Sequence, residues 1–449
     1  MGEFIFRVYA TARRSVGYLL AFTCLVASAQ SGWHPTHFAL QLEPQFASET
    51  IVGSLQMNFL LQQRDLSSIT LDSGDLHITS VSMGAKDLSF AKQGAALHIA
   101  LPDGLPVIGV QRIAIRYTGK PSNGLRFDKE SVQVSTAFST SQWMPCLDDP
   151  SVRTPLDLTL RLPAGLVSVA NGSPEMPQAQ PHGYALHVWR MALPMPSYLY
   201  GFAAGKFAVT EQAVGSTTLK FYGPTALFDT AKLQQVFADS ADMLAFFAQR
   251  SGVDFSLPVY SQVLLMGPAA QEMAGFSVMG ARYGTRVLAD PQAVWLGAHE
   301  MAHQWWGNGV TNRSWRHFWL NEGIATFMTA AYMEHRFGKE SYQRYIDAAQ
   351  VKYHAVRDAG QDKSLVFPNW DSPTAADRSL VYDKGALVLH ELRGLLGEES
   401  FWIGIKTYTQ KHWGQSVETA DFVQAMEEAS HQDLSVFFEH WVYARQPAR

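Results

Sequence analysis

The sequence predicts an α+β protein of two successive domains, a β-rich one over residues 30–209 and a mostly helical one over 210–449. Three observations carry this expectation. The chain has 449 residues, where one domain ordinarily takes about 100 to 200. From about Gln30 to Phe207, apolar and polar residues alternate in runs such as HFALQLEP, GSLQMNFLLQ, LDLTLRLP and ALHVWRMALP. That is the period of half-buried strands, and Gly, Pro, Asp and Ser separate the runs. From Asp229 onward apolar residues recur at i, i+3 and i+4 instead, which is the helical period. The change falls around FAAGKFAV, residues 202–209.

Composition limits what such a chain does. Hydrophobic residues make up 47% and charged residues 17%, the balance of a folded protein with a large core. The 35 basic and 40 acidic residues leave a net charge of −5, so no broad basic field exists for nucleic acid or anionic lipid. No repeats and no low-complexity linker interrupt the chain.

Taken in order, the first segment reads as an address. Arg7, Arg13 and Arg14 precede the apolar run VGYLLAFTCLVA, and Ala27-Ser28-Ala29 follows it, the pattern of a signal peptide cleaved after Ala29. The run is shorter than the roughly 20 residues that span a bilayer, so the mature protein is expected to be exported, periplasmic or secreted, without lasting membrane contact. Of the two cysteines, Cys24 lies in the removed segment and Cys146 is left alone, which rules out an internal disulfide. In the second half, Asp290 and Pro291 mark the start of a helix expected over 291–306, with Gly307 as its stop. A second helix is expected over 321–337, with Gly338 after it.

The first of these helices carries AHEMAHQWWGN, residues 298–308. Four residues apart on a helix, His299 and His303 project from one face and can present two ring nitrogens to one zinc ion. Two imidazoles do not complete a hydrolytic site, which takes three protein ligands and an open position. Glu322, at the start of the next helix, is the candidate third ligand, since an antiparallel return brings its first turn beside the histidines. Glu300 is then free to act as general base. The bare motif also arises by composition in a few chains per hundred, roughly; a capped helix and a carboxylate opening the next one add to it.

HEMAHQWWGNGVTNRSWRHFWLNEGIATF resembles the zinc signature of the aminopeptidase N family, in which HExxH is followed after eighteen residues by the Glu of an NEG triplet. YTGKPSNGLRF, MPCLDDP, PSYLYGFAAGKF and VYDKGALVLHEL also resemble family landmarks, in the family's order. The resemblance implies a saddle-like β-sheet domain followed by a thermolysin-like zinc peptidase domain. It further implies one zinc ion per chain and peptide substrates with a free N-terminus. Tyr382 of VYDKG matches the family's catalytic tyrosine, whose hydroxyl donates to the oxyanion. On the residues alone, Val381, Leu387 and Leu389 place Tyr382 in a packed core, and it is the resemblance that points to the oxyanion role. Glu272 in AAQEMAG occupies the position of the glutamate that binds the substrate's α-ammonium.

Three departures from the family pattern stand out. Around Glu272, Ala269, Gln271 and Met273 replace the family's Gly, Met and Asn. Ala137 stands where the family often places an amine-binding Gln, with Gln142 as a nearby substitute. The chain ends at HWVYARQPAR, the expected end of the catalytic domain, so it resembles a short form without the large C-terminal helical domain. The leading expectation is a zinc aminopeptidase. A zinc endopeptidase that needs no free N-terminus and a zinc-stabilised, non-catalytic binding protein are the alternatives, and the oligomeric state stays open. His317, His335 and His390 are expected to be packing residues, as are the tryptophans around the motif.

Overall fold

The structure is a computed structural model, and it describes residues 32–128, 131–134, 139–370 and 373–445. The expected leader, with Cys24, lies outside the described residues, and so does Ala137. The chain forms two compact units, one of residues up to Asp148 with Val152–Lys206, the other of Asp149–Ser151 with Phe207–Arg449.

The first unit is built on a nine-stranded sheet, with four-stranded and three-stranded sheets beside it in sequence. Its centre is the strand Trp33–Gln45, antiparallel to Thr50–Leu61 on one side and parallel to Arg153–Pro163 on the other. Register follows the apolar alternation. Phe38, Leu40 and Leu42 sit opposite Leu156, Leu158 and Leu160, and all six are buried. A slip of one residue would turn both apolar rows to the other face. Cys146 is a buried free thiol, and its backbone exchanges hydrogen bonds with Asp72 at 3.0 and 2.7 Å. The neighbouring acidic pair closes turns. Asp148 accepts from the Ser141 amide and the Ser197 hydroxyl at 3.0 and 3.2 Å, and Asp149, which belongs to the second unit, accepts from the Ser151 amide at 2.8 Å.

The second unit opens with a five-stranded sheet in the order Phe207–Val214, Thr217–Pro224, Val259–Leu265, Phe276–Gly280, Ala270–Met273. The last of these is an edge strand antiparallel to its neighbour, whereas the central pairs are parallel. Helices make up the rest, and their core includes the tryptophans of the motif. Trp305, Trp306 and Trp319 are buried, and each indole N–H has a partner: the Val253 carbonyl at 2.7 Å, and the Thr409 and Thr419 hydroxyls at 3.0 Å each. They are core residues that keep their polar edge satisfied, as buried indoles must. Among the described residues no helix is long and apolar enough to cross a membrane.

Candidate metal centre

The helix bearing the motif spans Trp295–Ala302, shorter than the expected 291–306 at both ends. At its start Asp290 closes a separate turn, its carboxylate accepting the Gln292 amide at 3.0 Å and its carbonyl the Ala293 amide at 2.9 Å. At its end the carbonyls of His303, Gln304 and Trp305 accept from Asn308, Gly309 and Val310 at 2.9, 3.2 and 2.9 Å. This five-residue spacing widens the last turn into a loop. His303 keeps helical backbone angles, φ −58° and ψ −22°, so the two histidines still share a face. Every residue from Leu296 to Ala302 is buried, and the site is therefore walled by protein.

The third donor comes from the helix Trp319–Phe337, which carries Glu322 in its first turn, where the positive end of the helix dipole favours a carboxylate. His299 Nε2 and His303 Nε2 stand 3.1 Å apart, and Glu322 Oε2 lies 3.4 and 3.3 Å from them. Ligands bound about 2.0–2.1 Å from one tetrahedral ion stand about 3.3 Å from one another, so the triangle fits zinc. The donor chemistry agrees. His303 Nδ1 lies 3.0 Å from the Trp306 carbonyl, which only accepts, so Nδ1 carries the proton and Nε2 presents its lone pair. Glu322 Oε2 is buried and makes no hydrogen bond of good geometry. Three acceptor atoms thus converge where a cation would satisfy them all. Among the described residues this His-His-Glu group has its ligand atoms within 4.8 Å of one another and can bind a metal.

Gly307 protects the histidine's second contact. Its φ is +133°, and a Cβ there would lie 3.0 Å from His303 Nδ1. A stop signal in the sequence is thus also clearance for a ligand.

Two more carboxylates enter the same buried volume. Burial pushes the Glu300 carboxyl well above its ordinary range, with His303 opposing and Glu272 and Glu322 adding to the rise. Glu300 Oε2 is buried and without a hydrogen-bond partner among the described residues. Glu272 lies on the edge strand Ala270–Met273, buried, and burial pushes it up to about 7, His303 opposing and Glu322 reinforcing. Burial disfavours the His303 cation, yet Glu272, Glu322 and Glu300 overcome this and push it up to about 10. Burial lowers His299. Three carboxylates and two imidazoles share this buried volume, so a divalent cation bound there would compete with the proton on His303 Nε2 and favour the ionised carboxylates.

Tyr382 reaches the site from a π-helical turn, Leu380–Lys384, a geometry that frequently marks functional positions. It is half-buried, and its ring stacks on His299 at 5.9 Å between centroids and 25° between planes. Ion pairs of the two residues that follow it fix the turn. Lys384 Nζ donates to Asp362 at 2.9 and 3.2 Å, and Asp383 accepts from Lys352 at 3.0 Å and Ser379 at 2.8 Å.

The structure therefore brings His299, His303, Glu322, Glu300, Glu272 and Tyr382 to one site within the second unit. Gln142 packs inside the first unit, its Nε2 only 2.6 Å from where a Gly74 Cβ would stand. Sequence reasoning missed Gln304, Asn308, Lys384 and Asp362, whose roles depend on partners far along the chain. His317 and His390 are hydrogen-bonded packing residues, at 2.9 Å from Thr419 Oγ1 and 2.8 Å from the Tyr342 hydroxyl. His335 Nε2 lies 3.4 Å from Asp242.

A β-rich unit followed in sequence by a helical one, with helix histidines and a following-helix glutamate converging in the second, is the architecture of a metallopeptidase of the HExxH type. Comparison with known proteins agrees: residues 34–199 match the peptidase M1 N-terminal domain and residues 237–441 the peptidase family M1 domain. The chain belongs to peptidase family M1. It is 26% identical to aminopeptidase N of Lactococcus lactis over 94% of its own length, and 25% identical to leucine aminopeptidase 2 of Aspergillus oryzae over 93%. It spans 52% of the first relative and 72% of the second. In fold it is similar to an M1 zinc metallopeptidase from Deinococcus radiodurans, solved as a mutant bound to a Tyr-Ser-Ala substrate, with a TM-score of 0.79 at 20% identity. That alignment covers 93% of this chain and 96% of that one.

Proposed function

We propose that the protein is a zinc-dependent aminopeptidase that removes N-terminal residues from peptides. One zinc per chain is held by His299, His303 and Glu322. The observation that carries the reading is the convergence of these three acceptor atoms in a buried pocket beside the Glu300 carboxylate, whose Oε2 has no hydrogen-bond partner among the described residues. The zinc, when bound, supplies Lewis acidity at the scissile carbonyl.

The chain's own residues do the rest. Glu300, raised in basicity by burial, takes the proton of the attacking water and returns it to the departing amine. The Tyr382 hydroxyl, held by the anchored π-turn, donates to the developing oxyanion. Glu272 accepts the substrate's α-ammonium. A buried carboxylate gains more from such a cation than an exposed one, because little water competes. This favours an exopeptidase over an endopeptidase. The reading includes export to the periplasm or beyond, supported by the charged, apolar and small-residue order of residues 7–29; N-terminal sequencing of the mature protein is expected to begin at Gln30.

Turnover of leucine p-nitroanilide and its N-acetylated form, with and without a chelator, tests the reading. The free substrate is expected to be strongly preferred, with activity lost on chelation and restored by zinc. Equal turnover of the two substrates would replace the aminopeptidase with an endopeptidase, and indifference to the chelator would remove the metal.

A further inference from the structure

The strand that carries Glu272 is tied to the metal site by the residue following the second histidine. Gln304 is buried, and both ends of its amide are committed. Oε1 accepts the Gly275 N–H at 3.0 Å, and Nε2 donates to the Met273 carbonyl at 3.0 Å. Asn308 Nδ2 donates to the same carbonyl at 3.0 Å. Met273 directly follows Glu272, and Gly275, at φ +81°, completes the turn into the next strand. On its other side the turn is fixed by the Ser261 amide, which donates to the Gly275 carbonyl at 3.0 Å.

Among the described residues Ala270–Met273 is an edge strand, with a paired strand on one side only. Such a strand has no second ladder to fix its position. Gln304 takes over that duty, and it does so from the segment that holds His303. The side chain must offer one acceptor and one donor at fixed reach, which among similar-sized residues only an amide does.

We infer that Gln304 is the positioning residue for free-amine selectivity: it sets the Glu272 carboxylate at a fixed offset from the His303 ligand. The inference rests on the aminopeptidase reading, because it concerns how that reading's amine site is built. Since misplacement by about 1 Å costs roughly a hundredfold in a positioned reaction, losing the tether is felt at the substrate's amine before it is felt at the metal.

The test measures kcat/KM for leucine p-nitroanilide and N-acetyl-leucine p-nitroanilide, with zinc content, in wild type, Gln304→Met, Glu272→Gln and the double variant. Gln304→Met keeps the side-chain length and removes both hydrogen bonds. It is expected to cut the free-over-acetylated ratio by roughly tenfold or more, and to cut it no further once Glu272 is already Gln. A variant that lowers both substrates alike would overturn the inference, as would a ratio loss of equal size in the Glu272→Gln background. If Gln304→Met does not fold, Gln304→Glu enters the same comparison, since it keeps the acceptor for Gly275 and loses the amide donor to Met273. Wild type that fails to discriminate would overturn the aminopeptidase reading itself and the inference with it, an outcome visible before any variant is made.

Discussion

Gly323 and Gly385 meet backbone to backbone. A Cβ on Gly323 would stand 2.9 Å from the Gly385 Cα, and one on Gly385 would stand 2.8 Å from the Gly323 Cα. Gly323 follows Glu322, and Gly385 follows the π-turn that carries Tyr382, so one contact spaces the candidate third ligand from the phenol. Gly385→Ala forces the two helices apart, and turnover is expected to fall roughly tenfold or more while the far-UV circular dichroism spectrum is retained. Wild-type kcat in a folded variant would show that the spacing is not critical.

The Lys384–Asp362 pair lies wholly out of solvent, with both side chains 0% exposed, and Lys384 also donates to the Lys363 carbonyl at 3.1 Å. Removing one partner strands the other's charge in the core. Lys384→Met is expected to destabilise the protein by about 3–5 kcal/mol, read from urea unfolding midpoints. Adding Asp362→Asn should return part of that loss, and a double variant less stable than the single one would contradict the pairing.

At the other ligand, Gly307→Ala sets a methyl group against His303 Nδ1 and strains a backbone held at φ +133°. The Trp306 carbonyl then no longer holds the imidazole in place. Zinc affinity, measured by competition with a chromophoric chelator, is expected to weaken about 10–100-fold, the usual cost of losing such an outer contact. Unchanged affinity would mean that the hydrogen bond to Trp306 does not orient the ligand.

Acid sensitivity follows from histidines away from the metal. Burial lowers the folded-state pKa of His187, His317 and His390 below the ordinary value of about 6.5. Between those two values the unfolded chain binds more protons, so stability rises with pH there. Their contribution is fully present above about pH 6.5 and is lost as pH falls towards the folded values. The Tm should drop between pH 7.5 and 5.5, with a shallower drop in His317→Gln and His390→Gln. Equal slopes in variant and wild type would show that these groups do not govern it.

The His-His-Glu group was legible in the sequence because helical period and the order of elements are local properties. Two histidines four apart share a face wherever the helix sits, and Glu322 opens the next helix. Helix ends were less legible, since Asp290 had a turn of its own to close and the carbonyls after Ala302 found partners five residues on. Gln304 and Lys384 stood in plain view, one inside AHEMAHQWWGN and the other inside VYDKG. Neither revealed its role, because Met273, Gly275 and Asp362 come beside them only through the tertiary fold. Despite the altered residues around it, Glu272 is buried beside His303 and Glu322.

The central claim is that the pocket separates a metal-holding set from a proton-moving carboxylate. Turnover per bound zinc in Glu300→Gln measures this most directly. The variant is expected to bind zinc like wild type and to lose at least about a hundredfold in kcat, the scale of general-base contributions. Wild-type turnover per zinc, or loss of the zinc itself, would contradict the assignment.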